Sequence, residues 1–305
     1  MRAVVATRQG GPEVLELQEV ADPEAGPGEV LVEVRRAGVN FADTTSITGQ
    51  YHSAPEPPFI PGLEVSGVEV GSGRPVLALV KSGGYAEKVA ADRRLVFDAQ
   101  GLDLDEAGGY ALVTLTTFYA LEHCARIRPG ESVLVHAAAG GIGSTAIQMA
   151  KALGAGRVIG VASTEDKRRF ALEQGADLAI SYEEDAPPVD IVIDTVGGEA
   201  FRHALEHVRQ LGRMVLLGRS AGPPPEIPGF DELRRLNVGI LCFSFGQFRG
   251  ADPDRVAQTA GAPLELLRSG RVRPPVSQTL PLAGAAEAHR LITGRRTVGK
   301  ILLAT

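Results

Sequence analysis

The chain has 305 residues, and its 31 basic and 37 acidic residues leave a formal net charge of −6. This length allows two domains with ample core. The acidic balance, with both signs interspersed, argues against a general nucleic-acid-binding protein, although a local basic patch for a phosphate is compatible with it. Two distant cysteines, Cys124 and Cys242, are typical of a reducing compartment. Met1 leads directly into a predicted strand and no apolar run approaches about 18 residues, so we expect a cytoplasmic protein without a membrane span.

The first third of the chain carries the pattern of a β-rich domain. Short apolar runs, several of them alternating with polar residues, predict strands at residues 3–7, 15–20, 29–37, 65–70, 76–80 and 85–90. Turns that contain glycine or proline separate these strands. Many short strands at close spacing predict a barrel or a sandwich.

At about Asp105 the hydrophobic period changes from that of strands to that of a helix. The helical pattern covers residues 105–125, and Pro129 and Gly130 follow it. Beyond this point strands are predicted at residues 132–136, 157–162, 178–182, 189–194, 212–217 and 238–243. Helices are predicted between them at residues 142–153, 165–174, 199–209 and 231–236. This alternation predicts an α/β domain with an open, doubly wound parallel sheet.

The remaining segments define the expected domain limits. Residues 221–225, which include three prolines, are expected to form a rigid connector, and residues 51–58 and 245–252 are expected to be loops that line a pocket. A helical stretch at residues 253–269 precedes strands at 276–280 and 298–303. We therefore expect a first domain at residues 1–108, completed by residues 270–305, and a nucleotide-binding domain at residues 109–269.

The strongest motif lies at residues 131–154, where a strand, a glycine-rich turn and a helix follow one another. Its small residues match G-x-G-x-x-G with alanine in the first place, and they run through Ala138, Gly140, Gly141, Ile142 and Gly143. Small residues let the backbone approach a pyrophosphate, and a helix N-terminus offers free N–H groups to it. Such a run can also be only a tight turn, but the βα units downstream favour a dinucleotide site.

The end of the second strand of this domain indicates which dinucleotide binds. It carries Ser163 and Thr164 and no carboxylate, and Lys167, Arg168 and Arg169 follow on the next helix. NAD sites commonly place an acidic residue there for the ribose 2′-hydroxyl, whereas hydroxyls and cations suit a 2′-phosphate. The sequence therefore favours NADPH. The alternative is that these cations form a solvated helix face, as the neighbouring acidic residues allow.

Six motifs together resemble one family, the zinc-free, ζ-crystallin-like quinone oxidoreductases of the medium-chain dehydrogenase/reductase superfamily. They lie at residues 38–43, 58–62, 121–130, 137–143, 194–198 and 299–303. The resemblance spans nearly the whole chain and implies a Rossmann doubly wound sheet plus a GroES-like β-barrel domain, with a cleft between them. The chain departs from the family between Gly73 and Gly83, where it is shorter than usual.

The resemblance also implies roles for individual residues around an NADPH molecule. Ser163, Thr164 and Lys167 match 2′-phosphate positions, and Tyr182 matches a tyrosine near the adenosine. Further residues match positions over the cofactor or near the nicotinamide, although each could equally serve packing or turn formation: Thr116, Thr195, Leu217, Gly218, Phe243 and Lys300.

No metal site is expected from the sequence. Zinc enzymes of the same superfamily carry Gly-His-Glu and a catalytic cysteine early in the chain. Here Leu63 stands in place of the histidine, and the segment Val39–Asn40 near Gly38 contains no cysteine. A four-cysteine structural loop is also missing. His203 and His207 complete an H-x-x-E-H pattern on a predicted flanking helix. With no third ligand evident in the sequence, we interpret this pattern as solvated or structural.

Three residues near the start of the chain are candidates for the chemistry. Asn40, Asp43 and Tyr51 have a spacing that also occurs in quinone reductases and in related enoyl-thioester reductases, where the tyrosine is assigned as proton donor. Tyr51 is the predicted donor or substrate orienter, and Asn40 is predicted to polarise the acceptor or to fix the ribose. The alternatives are that Tyr51 only covers the cleft and that Asn40 only caps a turn.

These observations leave three functions open. The first is an NADPH-dependent quinone reductase that works without metal, and the second is an NADPH-dependent reductase of activated double bonds such as enones or 2-enoyl thioesters. The third is a catalytically idle NADPH-binding protein. The apolar strand at residues 238–243 is expected at a sheet edge, which predicts a homodimer joined edge to edge there, as in the family.

Overall fold

The computed structural model describes residues 1–222 and 226–305, so Pro223–Pro225 of the predicted connector lie outside the described residues. The chain divides into two compact units. Unit 1 comprises Met1–Val113, Gly246–Arg268 and Pro274–Thr305, and unit 2 comprises Thr114–Phe245 and Ser269–Arg273. None of the helices in these described ranges is both long and apolar enough to cross a bilayer.

The elements of the described chain follow in order. The strands are β1 (Arg2–Ala6), β2 (Leu15–Glu19), β3 (Glu29–Val39), β4 (Glu64–Glu69), β5 (Pro75–Leu79), β6 (Lys88–Asp92), β7 (Val96–Asp98), β8 (Ser132–Val135), β9 (Arg157–Val161), β10 (Leu178–Ile180), β11 (Val189–Asp194), β12 (Val208–Leu216), β13 (Gly239–Cys242), β14 (Val276–Pro281) and β15 (Lys300–Ala304). The helices are α1 (Phe41–Ile47), α2 (Leu104–Ala107), α3 (Ala111–Phe118), α4 (Gly141–Ala152), α5 (Glu165–Glu173), α6 (Gly198–Glu206), α7 (Phe230–Leu236), α8 (Phe245–Ala251), α9 (Pro253–Thr259), α10 (Gly261–Arg268) and α11 (Ala285–Thr293).

Unit 1 is built on a seven-stranded sheet of order β14-β15-β3-β4-β5-β7, with β6 paired to β3, and a separate β1-β2 hairpin. The final strand β15 runs antiparallel to β3, with Ile301 opposite Val39. Valine-rich strands such as β3 suit this arrangement, because alternate residues (Val30, Val32 and Val34) are buried in one core. The pairing of β15 with β3 brings the end of the chain into the same unit as its beginning.

Unit 2 contains a six-stranded parallel sheet of order β10-β9-β8-β11-β12-β13. Strand β11 is buried on both faces, as its central residues Ile191, Val192 and Ile193 are fully buried. Such near-continuous apolar strands are typical of parallel sheets covered by helices on both faces. The strand order reverses between β8 and β11, which is the topological switch point where ligands bind in open α/β sheets. The predicted doubly wound sheet is confirmed.

Three helices, α1, α8 and α11, form where the sequence predicted no helix. Helix α1 is rich in threonine and serine, and its hydroxyls bond back within the helix, as Ser46 does to the carbonyl oxygen of Ala42. Helix α8 contains two glycines and forms where a loop was expected at residues 245–252. Weak helix propensity is overridden in α8 by packing, because the buried Arg249 donates to the carbonyl oxygens of Leu63 and Val80.

The helical segment after α8 also differs from the expected domain limit at residue 269. Residues 246–268 belong to unit 1. Besides Arg249, exposed ion pairs join this segment to the sheet, with Arg94 next to Asp254 and Arg268 next to Asp98. These contacts are polar and leave no apolar pattern in the sequence, so the sequence did not indicate that residues 246–268 pack with unit 1. Helix α11 (Ala285–Thr293) was not predicted either.

Candidate dinucleotide and proton-donor site

The glycine-rich turn of unit 2 lies at the carboxyl end of β8. Ala137 adopts a positive φ of 48°, which bends the chain sharply after the strand. A Cβ atom on Gly143 would lie 2.1 Å from the carbonyl oxygen of Ala137, closer than any real contact. Residue 143 must therefore be glycine for α4 to start this close to the turn.

The N-terminus of α4 has the geometry of an anion-binding site. Gly140 is the N-cap and supplies no side chain to cap the helix. The N–H groups of Gly141, Ile142 and Gly143 lie in the first turn, where no intrahelical acceptor exists. Together with the positive end of the dipole of this 12-residue helix, they fit a pyrophosphate.

Tyr182, which follows β10, stabilises this turn from the other side of β9. Its hydroxyl oxygen accepts a hydrogen bond from the backbone N–H of Ala137 at 3.0 Å, and its ring centroid lies 5.5 Å from that of His136. The sequence predicted Tyr182 near the adenosine. The structure shows that the residue holds the strained Ala137 in place, which is a supporting role in the same region.

The residues predicted for the 2′-phosphate lie together after β9. Ser163 and Thr164 are exposed, and the Thr164 side chain accepts from the backbone N–H of Lys167 at 3.3 Å, which makes Thr164 the N-cap of α5. Capping uses one lone pair of the Thr164 hydroxyl oxygen, so the hydroxyl can still donate a hydrogen bond. Arg169 pairs with Asp166 on the exposed side. Two hydroxyls and the amino group of Lys167 fit a phosphate dianion.

The carboxyl ends of the adjacent strands β8 and β11 carry two polar residues whose role the sequence did not predict. Asp194 is buried and accepts hydrogen bonds from the backbone N–H groups of Val196 at 2.8 Å and Gly197 at 3.1 Å. Its other neighbour is the Nδ1 atom of the buried His136, at 2.9 Å. The sequence could have indicated this pair, because one polar residue stands at the end of each of two buried strands. When such strands are adjacent in a parallel sheet, the two residues lie at the same edge.

Further predicted cofactor residues meet beside Asp194. The backbone N–H of Leu217 donates to the carbonyl oxygen of Asp194 at 2.7 Å, and a Cβ on Gly218 would lie 3.1 Å from the carbonyl oxygen of Thr195. The Phe243 N–H donates to Leu216, which places Phe243 at the end of the next strand. Thr116 lies apart in α3 and is nearly buried, with no described contact to these strand ends.

In unit 1, Asn40 and Lys300 meet around a carboxylate that the sequence did not select. Glu64 is fully buried, and its Oε1 accepts from Lys300 Nζ at 2.9 Å and from Asn40 Nδ2 at 3.0 Å, while its Oε2 accepts from the Leu112 N–H. Lys300 also donates to Asn40 Oδ1 and to the carbonyl oxygen of Val39. All three ammonium protons are thus used inside unit 1. The predicted contact of Lys300 with a cofactor stays a prediction, and this contact requires one of these bonds to be exchanged.

Asp43 is fully buried and forms part of a second chain of hydrogen bonds. Its Oδ2 accepts from the Asn40 N–H at 2.8 Å and from the Tyr85 hydroxyl at 3.1 Å, and that hydroxyl lies 3.2 Å from His289 Nε2. Burial raises the pKa of Asp43 to about 7 and lowers the pKa of His289 to about 4. Asp43 has no exposed surface and, through its bond to the Asn40 N–H, holds the start of α1 in place, while its predicted part in the chemistry stays a prediction.

Tyr51 follows α1, and its backbone N–H donates to the carbonyl oxygen of Thr45 at 3.0 Å. Its side chain is partly buried, and burial raises the pKa of the phenol, a shift that the charge of Arg249 opposes. The phenol therefore stays protonated at neutral pH. A protonated phenol can donate to a developing anion without being ionised first.

Comparisons with known proteins agree with this geometry. Residues 26–100 match the alcohol dehydrogenase GroES-like domain, and residues 141–256 match the zinc-binding dehydrogenase domain. A quinone oxidoreductase of Pseudomonas aeruginosa is 33% identical over 96% of this chain and 96% of its own length. A quinone oxidoreductase-like protein 2 of Rattus norvegicus is 31% identical over 99% of this chain and 91% of its own length.

Two solved quinone oxidoreductases with NADPH complexes are also similar in structure. That of Thermus thermophilus has a TM-score of 0.85 at 35% identity, and that of Escherichia coli has a TM-score of 0.89 at 29% identity. Each similarity covers 100% of this chain and of the other. The similarity therefore extends over both units.

The buried pair of Glu64 and Lys300 predicts a large loss of stability when one partner is removed. Lys300→Met leaves the Glu64 charge buried without compensation, and we expect the free energy of unfolding in urea to fall by about 3–5 kcal/mol. As a control, Arg35→Met removes an exposed ion pair with Asp105, which solvent screens, and should change the free energy of unfolding far less. Equal effects of the two substitutions would contradict this interpretation.

Proposed function

We propose that this chain, which belongs to the quinone oxidoreductase family of the medium-chain dehydrogenase/reductase superfamily, is an NADPH-dependent quinone reductase that needs no metal. The observation that supports the proposal most is the turn at Ala137–Gly143, where the unpaired N–H groups of α4 fit a pyrophosphate. The relatives named quinone oxidoreductase, two of them with solved NADPH complexes, agree with it.

The choice of NADPH over NADH rests on the end of β9. Ser163 and Thr164 offer two hydroxyls, Lys167 offers a cation, and no carboxylate follows β9 before Glu165. A carboxylate at the strand end would accept from a ribose 2′-hydroxyl and would repel a phosphate at the same place. The residues present therefore fit the phosphorylated coenzyme.

The reaction proposed is the transfer of a hydride to a quinone ring, which the reduced nicotinamide supplies when bound. The chain's contribution is to hold the dinucleotide and to supply hydrogen-bond donors to the acceptor. Tyr51 is proposed to orient the quinone through a hydrogen bond to the oxygen on which charge develops, because its phenol is protonated at neutral pH. The Asn40 side chain is bonded to Glu64 and Lys300, which fixes its position at the start of α1.

Independence of zinc is part of the proposal. Zinc in a catalytic site needs three protein ligands that converge, and the segment from Pro61 to Glu64 offers one carboxylate, already bonded to Lys300 and Asn40. A quinone accepts hydride without Lewis-acid activation, so positioning and hydrogen bonding are sufficient.

The coenzyme assignment gives a direct prediction. Purified protein mixed with NADPH and 1,4-benzoquinone should lose absorbance at 340 nm, with a lower KM for NADPH than for NADH. Lys167→Glu should raise the KM for NADPH by roughly 10- to 100-fold, because one charge-assisted bond to phosphate is worth about 1.5–3 kcal/mol, while the KM for NADH should change little.

Arg169→Glu is the matched control on the same helix, since Arg169 already pairs with Asp166 on the exposed side. Its KM for NADPH should stay within about threefold of the wild-type value. Absence of turnover with every quinone tested would reject the proposed activity, and an unchanged KM in Lys167→Glu would reject the assignment of the phosphate.

A second candidate function, the reduction of activated double bonds, is favoured by Tyr51 alone. Hydride addition to an enone leaves an enolate that needs a proton, whereas a reduced quinone is a weaker base that takes its proton from water. Tyr51→Phe should therefore lower kcat for an enone by about 10²-fold or more and should lower kcat for a quinone much less. The measurement compares both substrates in the same preparation, and equal losses on both would remove the distinction on which this second function rests.

We also propose that the protein is a homodimer joined at β13. This strand ends the sheet of unit 2, and beside it lies a groove of about 540 Å³ whose lining includes Leu211, Phe230, Leu233 and Val238. Leu211 is 86% exposed and Phe230 is 77% exposed, which is unusual for large apolar residues unless a partner covers them. An unpaired edge beside an apolar groove suits a second copy of the chain.

Light scattering at micromolar concentration tests the homodimer. The wild-type chain should have about twice the mass of one chain, and Phe230→Lys should shift it towards the monomer, because it places a charge in the buried contact. Leu172→Lys, the same kind of change at a half-exposed leucine on α5, should leave the mass unchanged. A monomeric wild-type protein would refute the proposal.

A further inference from the structure

Three metal-ligating side chains converge on the outer part of unit 2, away from the glycine-rich turn. His203 and His207 lie one turn apart at the end of α6, and Asp185 approaches them from the loop between β10 and β11. Asp185 Oδ1 lies 3.4 Å from His203 Nε2 and 3.6 Å from His207 Nε2. Nitrogen and oxygen atoms of the three residues all lie within 4.8 Å of one another.

Hydrogen bonding among these residues does not account for the arrangement. The contact of Asp185 with His203 is long, and its distance to His207 exceeds a hydrogen bond. The His207 Nε2 atom is buried and has no hydrogen-bond partner among the described residues. An unsatisfied buried nitrogen that faces a carboxylate and a second imidazole lacks a shared partner, and a cation would provide one.

The backbone fixes all three ligands before any ion binds. His207 directly precedes β12, and its carbonyl oxygen accepts from the Val189 N–H at 2.9 Å, at the start of β11. Ala186, the neighbour of Asp185, is buried in the same core as Ala204 and Leu205 of α6. Two prolines, at positions 187 and 188, then restrict the loop up to β11.

We propose that Asp185, His203 and His207 form a binding site for a divalent transition-metal ion, with Zn²⁺ as the reference ion. Two imidazoles and one carboxylate are a donor set that zinc, nickel and copper accept, whereas magnesium and calcium prefer oxygen ligands alone. Bonds of about 2.0–2.1 Å require the ligand atoms of a tetrahedral zinc ion to lie about 3.3 Å apart. Asp185 is 89% exposed, so its side chain is free to close on the ion, and water completes the coordination.

The place of this site in the sheet separates it from the proposed chemistry. His207 and Asp185 lie at the amino ends of β12 and β11, where those strands begin. The glycine-rich turn and Asp194 lie at the carboxyl ends of β8 and β11. A six-residue strand such as β11 spans about 20 Å, so the ion would tie the loop after β10 to α6 and would not touch a dinucleotide at the opposite edge.

The sequence contained the two histidines but did not show the third ligand. The H-x-x-E-H pattern includes Glu206, yet Asp185, eighteen residues before His203, is the carboxylate that converges with the imidazoles. A helix of this period places residues 203 and 207 on one face and turns residue 206 partly away. The new site therefore depends on a loop contact that spacing alone does not reveal.

Isothermal titration calorimetry of the metal-free full-length protein with zinc chloride tests the proposal. We expect one zinc ion per chain, a rise in Tm of about 2–5 °C at saturating zinc, and no response to magnesium chloride. His203→Gln, His207→Gln and Asp185→Asn should each weaken zinc binding by at least about tenfold, since even the outer partners of metal ligands are worth that much.

Two variants serve as matched controls for other zinc-binding groups. His52→Gln removes an exposed imidazole of unit 1, and Cys242→Ser removes an exposed thiol of unit 2. Both should retain the wild-type affinity and the rise in Tm. Circular dichroism checks that Asp185→Asn keeps the fold, so that lost binding is assigned to the ligand. Absence of zinc binding by the wild-type protein, or binding that persists in both histidine variants, would overturn the proposal.

Discussion

The close approach of α4 to the end of β8 is the constraint on which the arrangement of unit 2 depends. The carbonyl oxygen of Ala137 occupies the space that a side chain at position 143 would need. This contact sets where the first turn of α4 lies, and so where its unpaired N–H groups point. The strained φ of Ala137 persists because Tyr182 accepts its N–H and because β8 is fixed between β9 and β11. A phosphate-binding geometry is therefore a consequence of packing as much as of the glycines.

Unit 1 depends on a comparable constraint made of charge. Glu64 and Lys300 come from strands that are far apart in sequence and that both pair with β3, and Asn40 is hydrogen-bonded to both charged groups. A buried ion pair persists only where its remaining donors and acceptors are satisfied, and here backbone groups of Val39 and Leu112 satisfy them. The same contacts fix the start of α1 and, with Asp43, the segment that leads to Tyr51. Local order next to the proposed proton donor thus has an electrostatic origin.

Sequence reasoning predicted the fold class well because most strands and helices of the two units carried an apolar pattern typical of their type. The parallel strands of unit 2 are continuous apolar runs, and all six of them were predicted near their observed limits. Helices α1 and α8 were missed because serine, threonine and glycine lower helix propensity. Helix α11 was missed although Ala285, Ala288 and His289 give it a buried face. The segment after α8 was expected in the nucleotide-binding domain, whereas its contacts group it with unit 1. Tertiary hydrogen bonds of single side chains, such as those of Arg249, leave no pattern in the sequence.

The candidate site residues also fall into two groups, those whose role follows from a local motif and those whose contacts are distant in sequence. Residues that act through the backbone of a motif, from Ala138 to Gly143, could be predicted, since the motif itself specifies the turn. Residues whose partners are distant in sequence could be named, but their contacts could not be predicted: the Lys300 protons are used within unit 1, and Asp43 is fully buried and bonded to Tyr85. Glu64 and Asp185 were missed because a carboxylate becomes informative only when its neighbours are known. The chemistry of a residue is thus readable from sequence to the extent that its partners are local.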